Sequence, residues 1–265
     1  MKLPDPLGRI QRAVWRIAAR IPIGARHHCN ICERQVRSFL PYRGGLADVP
    51  PLIQELGVVG SDVENFECPA CGCHDRERHL LMYLGSSGLL RRMGGARILH
   101  LAPEQHLQRF IRDAGSAEYV LGDLNPTQPG TQRIDLQAVP YSAGYFDFVL
   151  ANHVLEHVQD DMRALGEIFR ILRPGGHAIL QTPYSSVLMH IFEDSGIVTD
   201  RARLHAYGQE DHCRLYGRDI VQRFETVGLH SMVTSHFKLF SAADSVRLGV
   251  NPDEPFFLFQ KGSDT

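Results

Sequence analysis

The stretch Phe146-Asp147-Phe148-Val149-Leu150-Ala151-Asn152-His153-Val154-Leu155-Glu156-His157-Val158, followed by Arg170-Ile171-Leu172-Arg173-Pro174-Gly175-Gly176, decides the fold. Its first half is an apolar run of strand length that breaks into polar residues at Asn152. Residues 160–172 then space their apolar side chains at helical intervals, and Arg173-Pro174-Gly175-Gly176 reads as a sharp stop before a further apolar run, His177–Thr182. Strand, helix and strand in this order make a βαβ unit, whose strands are parallel. Outward from it, strands are expected at Arg97–Leu101 and Tyr119–Asp123, with weaker ones near Ile134, 229–236 and 256–260, and a helix over 105–114. The pattern predicts an α/β fold with a mostly parallel seven-stranded sheet and helices on both faces.

Upstream of the sheet the text is of another kind. Cys29-Asn30-Ile31-Cys32 and Cys68-Pro69-Ala70-Cys71 each bring two thiols to a tight turn, so four sulfurs can close a tetrahedral zinc site. Gly44-Gly45 and Pro50-Pro51 interrupt the span between the pairs, as expected of a loop-rich module over residues 29–75. Two alternatives stand beside this: a redox pair, or replacement of one ligand by Cys73 or His74. A site closed by four thiolates has a structural role, folding a segment too small to hold itself together. From 75 to 93 Leu80, Leu81, Tyr83, Leu84, Leu89 and Leu90 recur helically up to Gly94-Gly95.

Residues 1–28 read as a basic amphipathic helix. Ile10, Val14, Ile17 and Ile21 lie on one stripe, and Arg9, Arg12, Arg16 and Arg20 on another. Such a helix packs on the main domain with a solvated basic face, or attaches peripherally to an anionic membrane surface. The chain has 265 residues with 22% charged, 43% hydrophobic and a formal charge of -2, so bulk electrostatics imply no tight nonspecific binding to nucleic acid. No run approaches the roughly 18 apolar residues of a membrane span, and no signal peptide is legible. Paired Cys-x-x-Cys motifs fit a reducing compartment, and a cytoplasmic location is expected.

The residues 97–183 resemble the core of class I S-adenosylmethionine-dependent methyltransferases of the type 11 group, carried by 146–158 and 170–176 in that order and spacing. Gly122-Asp123-Leu124-Asn125-Pro126 resembles that family's second-strand motif and Ile134-Asp135-Leu136 its third. The resemblance implies a Rossmann-like methyltransferase domain over 76–265, preceded by the zinc ribbon, and S-adenosylmethionine as cofactor. In an open parallel sheet, ligands sit at the carboxyl ends of strands where strand order switches. There Asp123 can accept the ribose hydroxyls, with Leu124 beside it, and Asp135 the adenine amine while Leu136 covers the ring. A lone Asp is equally a turn residue. The first motif departs from the family: His100-Leu101-Ala102-Pro103-Glu104 stands where an acidic residue and a glycine-rich loop are usual. Leu101, Ala102, Pro103 and Glu104 are expected along the cofactor, with Glu104 taking the methionine ammonium. Asn152 and His153 are expected beside it.

Oxygen acceptors need a base, and His157, His153 and His212 are the candidates. The acceptor is narrowed by what is missing. No Asn-Pro-Pro-Tyr-like run follows Ala151, and no cysteine has the Pro-Cys setting of cytosine C5 chemistry. The expectation is methylation of oxygen or another heteroatom on a small-molecule, sugar or lipid-linked acceptor. A zinc-ribbon RNA methyltransferase and a binding protein that has lost catalysis are the alternatives, with nucleic acid disfavoured by charge. Residues 184–217 carry Glu193, Asp194, Arg201, Arg203, Asp211, His212 and Arg214 with little periodicity, and are expected to cover the pocket as an insertion.

Overall fold

The computed structural model describes residues 14–20, 24 and 26–263. After a helical stretch over 14–20, the described residues form the hairpin of β1 (His27–Cys29) and β2 (Arg34–Val36), a helix Pro51–Glu55 and the short β3 (Val58–Val59). Helices Asp75–Ser86 and Leu89–Arg92 lead into β4 (Arg97–Leu101), helix Gln108–Asp113, β5 (Glu118–Asp123) and β6 (Thr131–Arg133). Next come β7 (Phe146–Ala151), helix Asp161–Ile171, β8 (Leu172–Ile179) and β9 (Tyr184–Ser185). Helices Asp200–Tyr207 and Ile220–Glu225 precede β10 (Leu229–Ser231), and helices His236–Leu239 and Ala242–Leu248 precede β11 (Leu258–Lys261).

Seven strands form one sheet in the order β10, β11, β8, β7, β4, β5, β6. Strands β4 to β8 pair in parallel, and β11 runs antiparallel to both β8 and β10. This is the Rossmann-like sheet expected of the sequence. Alternation along the strands divides the core in two. Leu99, Leu101, Val149, Ala151 and Ala178 face helix Asp161–Ile171 with its buried Leu165 and Ile168. Ile98, Phe148, Leu150 and Ile179 face Leu80, Tyr83 and Leu84 of helix Asp75–Ser86. Each of the Leu, Ile, Val and Phe side chains among these, fully buried, contributes about 1.5–3 kcal/mol.

The Arg173–Gly176 stretch, expected as a stop between helix and strand, is the first half of β8. The helix ends at Ile171 because Pro174 has no N–H to continue it and disfavours helical backbone just before it. Gly176 is required by close approach: a Cβ there would meet Arg173 O at 2.9 Å and Asp147 O at 3.1 Å. Asp147 fastens the strands together, accepting from Arg97 N at 2.7 Å and pairing with Arg173.

The cysteine module shares a core with the sheet, since Cys29, Cys68 and Cys73 pack in the cluster that holds Tyr83, Ile98 and Ile179. Arg78 is the polar fastening. Fully buried, it stacks on Phe39 and donates to the carbonyls of Asn65, Phe66, Cys73, Leu248 and Gly249. The 184–217 segment is also tied to the module, through the antiparallel pair β3–β9 and a two-pronged Arg43–Glu210 ion pair.

Residues 14–20 are helical, but with the stripes reversed from expectation. Val14 and Ile17 are exposed, while Arg16 pairs with Glu67 and Arg20 Nε donates to Pro69 O at 2.7 Å. The module offers these cations a carboxylate and a carbonyl, which outcompete a small apolar contact. The rest of the expected N-terminal helix, including Ile10, Ile21, Arg9 and Arg12, lies outside the described residues. Among the described residues no helix is long and apolar enough to cross a membrane.

Candidate functional site

Strand order switches between β4 and β7, so their carboxyl ends open a crevice. At the end of β4 Ala102 takes φ +45°, a left-handed backbone that a glycine usually supplies, with its N–H bonded to Gly122 O at 2.8 Å. Gly122 itself has no room for a side chain, because a Cβ would lie 2.9 Å from Ile134. The turn presents Glu104 to its neighbours. Buried His100 holds it, with Nε2 at 2.7 Å from Glu104 Oε2 and Nδ1 at 2.7 Å from the Tyr119 hydroxyl. The Asn152 amide, from the end of β7, donates to the other Glu104 oxygen. Burial opposes the Glu104 charge, but the bond from His100 outweighs it and holds the carboxyl below its ordinary value. Asn152 Oδ1 is buried with no hydrogen-bond partner.

Asp123 ends β5 and accepts from Asn125 N at 2.7 Å, and Asp135, just past β6, accepts from Gln137 N at 2.8 Å. Both therefore brace the turns that follow while standing at strand ends. Leu124 is exposed and Leu136 buried, whereas Leu101 and Pro103 are buried beside the turn.

The three candidate bases separate. His153 has φ +53° and is buried between two carboxylates, Nδ1 3.4 Å from Glu156 and Nε2 3.5 Å from Glu254. Burial works against its charge, yet the two carboxylates override this and raise its pKa to about 9. A raised pKa favours the protonated imidazole, which has no lone pair to take a proton. His157 and His212 meet edge to face at 4.7 Å, and burial lowers the pKa of His212. Asp211 turns to His157 Nδ1, at 3.2 Å, rather than to its sequence neighbour.

Arg214, expected to contact substrate, is instead spent on structure: it holds Glu193 and the carbonyls of Leu155, Val158 and Gln159. Sequence reasoning also missed a buried chain in which Glu254 pairs with His79 at 3.0 Å and His79 with His236 at 2.9 Å. Periodicity gives no signal for it, since its members come from three separated segments.

A cavity of about 580 Å³ opens beside the carboxyl ends of β7 and β8, and of the expected cofactor residues only His153 lines it. Its walls are the 57–64 loop after helix Pro51–Glu55, His153 and Pro183 at the strand ends, Tyr207 and His212 of the insertion, and Asn251.

The sulfurs of Cys29, Cys32, Cys68 and Cys71 all lie within 4.8 Å of one another, with Cys29–Cys71 at 3.9 Å and Cys32–Cys68 at 4.0 Å. Zinc–sulfur bonds of about 2.3 Å in a tetrahedron place sulfurs about 3.8 Å apart. Cys73 Sγ is a fifth sulfur at 3.4 Å from Cys29.

A family model described as a methyltransferase domain matches residues 74–234. The fold is similar to that of an S-adenosylmethionine-dependent methyltransferase from Mesorhizobium loti, at 19% identity over 67% of this chain and 95% of that one, with a TM-score of 0.46. It is also similar to the YcgJ protein of Bacillus subtilis, at 13% identity over 68% and 99% of the two chains, with a TM-score of 0.43. No curated protein matches the sequence.

Proposed function

The chain belongs to the methyltransferase-domain family, an S-adenosylmethionine-dependent class of enzymes, and from this we propose that it methylates an oxygen or other heteroatom on a small-molecule, sugar or lipid-linked acceptor. The cavity beside the strand ends carries this reading. At about 580 Å³ it has the size of a small-molecule site, and residues of both the cysteine module and the 184–217 segment line it.

S-adenosylmethionine supplies an electrophilic methyl group. The residues fit it: unpartnered Asn152 Oδ1 and the Glu104 carboxylate would take the ammonium, and Asp123 the ribose diol. Asp135 and Leu136 would take the adenine. Holding the acceptor atom in line with the methyl group supplies much of the rate. His212, whose Nδ1 is 3.1 Å from the Tyr207 carbonyl and so carries its hydrogen there, presents a lone pair on Nε2 for the acceptor's proton, with His157 beside it. The sulfur spacing supports a structural zinc on Cys29, Cys32, Cys68 and Cys71.

The test is to incubate the purified chain with methyl-labelled S-adenosylmethionine and fractionated cell extract. Label should enter the metabolite or lipid fraction. Label confined to RNA would overturn the reading.

A further inference from the structure

Glu156 is 1% exposed, and neither of its carboxylate oxygens accepts a hydrogen bond. His212 is 4% exposed, and its Nε2 is likewise without a partner. His157 Nε2 lies 3.9 Å from Glu156 Oε1, and one ligating atom from each of the three residues falls within 4.8 Å of the others.

A hydrogen bond on the far side of the His212 ring and an ion-pair contact on that of the His157 ring orient what they present. The Tyr207 carbonyl can only accept, so His212 Nδ1 bears the hydrogen and Nε2 the lone pair. The exposed Asp211 carboxylate lies 3.2 Å from His157 Nδ1, which leaves Nε2 as the nitrogen nearer Glu156. Histidine donating one ring N–H to a carboxylate or carbonyl while the other nitrogen stays open is the arrangement of a metal ligand. Two lone pairs and an ionised carboxylate that face one another are stabilised by a cation shared between them. His153 Nδ1, 3.4 Å from Glu156 Oε1, is too long and too one-sided to satisfy both oxygens.

We propose that Glu156, His157 and His212 form a second metal site, taking a divalent first-row transition cation on two imidazoles and one carboxylate. Imidazole ligands favour such cations over magnesium or calcium. Coordination at about 2.1 Å would draw the three atoms together. Three protein ligands leave positions open, and His212 lines the cavity, so an entering ligand can complete the shell. Resting on the oxygen-acceptor reading, that ligand is the acceptor oxygen: with the cation bound, His212 Nε2 is a ligand and no longer the base, and the cation lowers the pKa of the oxygen so that its proton leaves to water.

The test is a titration of the zinc-loaded full chain with Co²⁺, followed by calorimetry and visible absorption. One further equivalent should bind, with d–d bands and no thiolate charge transfer. His157→Ala and His212→Ala should each weaken it by at least about tenfold, and Asp211→Asn by about tenfold, with circular dichroism unchanged. Absence of a further equivalent, thiolate bands, or unaltered affinity in folded His157→Ala would overturn the site. A cation bound as stated in an enzyme that methylates only nitrogen would uphold the site and remove the oxygen reading.

Discussion

The Asn152 amide, at the carboxyl end of β7, donates to the carboxylate of Glu104, beyond the carboxyl end of β4. This bond spans the point where strand order switches, and it places a carboxylate where a glycine-rich loop is usual. Glu104→Gln keeps the shape and removes the charge. It should weaken S-adenosylmethionine binding by roughly tenfold to a hundredfold, because charge-assisted bonds contribute about 1.5–3 kcal/mol each. Isothermal titration measures this, and wild-type affinity in the variant would falsify an ammonium contact.

Asp123→Ala should weaken the cofactor to a similar extent, roughly tenfold to a hundredfold, if its carboxylate takes the ribose diol. Its bond to Asn125 N contributes only to the turn. An adenosine competitor separates the two roles: a mere turn residue would leave adenosine inhibition unchanged.

Cys68→Ser combined with Cys71→Ser should abolish zinc by elemental analysis. The consequence should extend past the module, because Cys29, Cys68 and Cys73 share a core with Ile98 and Ile179 of the sheet. Hydrogen exchange should rise in helix Asp75–Ser86 and β4 as well. Loss of protection limited to residues 27–73 would show that the module folds separately.

Arg78→Lys should cost about 2–4 kcal/mol in urea unfolding, despite keeping the charge. A lysine ammonium has three donors and no planar fork, and five carbonyls surround the buried guanidinium. A change under 1 kcal/mol, on the order of an ordinary surface substitution, would contradict the fastening role.

Acid should destabilise the fold through His177. Burial, then the charges of Arg92 and Arg173, depress its pKa to about 4 from 6.5. A depressed folded pKa means stability is present above pH 6.5 and is lost as pH falls through 4, because the unfolded chain takes up the proton first. His177→Phe, which can keep the stacking on Phe148, should flatten the melting temperature between pH 6.5 and 4. Parallel wild-type and variant curves over that range would rule this out.

The sheet was legible because its signal is local. Runs such as Phe146–Ala151 are apolar on consecutive positions since both faces are covered, and the Pro-Gly pair after residue 173 marks the passage from helix to β8. The cysteine pairs were legible for a like reason, each being two thiols on one turn. The N-terminal helix misled because its period predicts which residues share a stripe and says nothing of which stripe finds a partner. Glu67 and the Pro69 carbonyl decided that.

From the sequence by itself came the α/β sheet, the paired thiols, the strand-end Asp123 and Asp135, and the run that contains Glu156 and His157, all of them set by residues close together in the chain. Only the tertiary structure decided what each ionisable group does. His153 is buried between two carboxylates because Glu254 arrives from the far end of the chain, and Arg214 is consumed by carbonyls of the 155–159 loop. His212 meets Glu156 and His157 because the insertion folds back over β7. A side chain's protonation, and whether its lone pair stays open, depend on the charges and hydrogen-bond partners within a few ångströms of it, and chain order does not encode those distances.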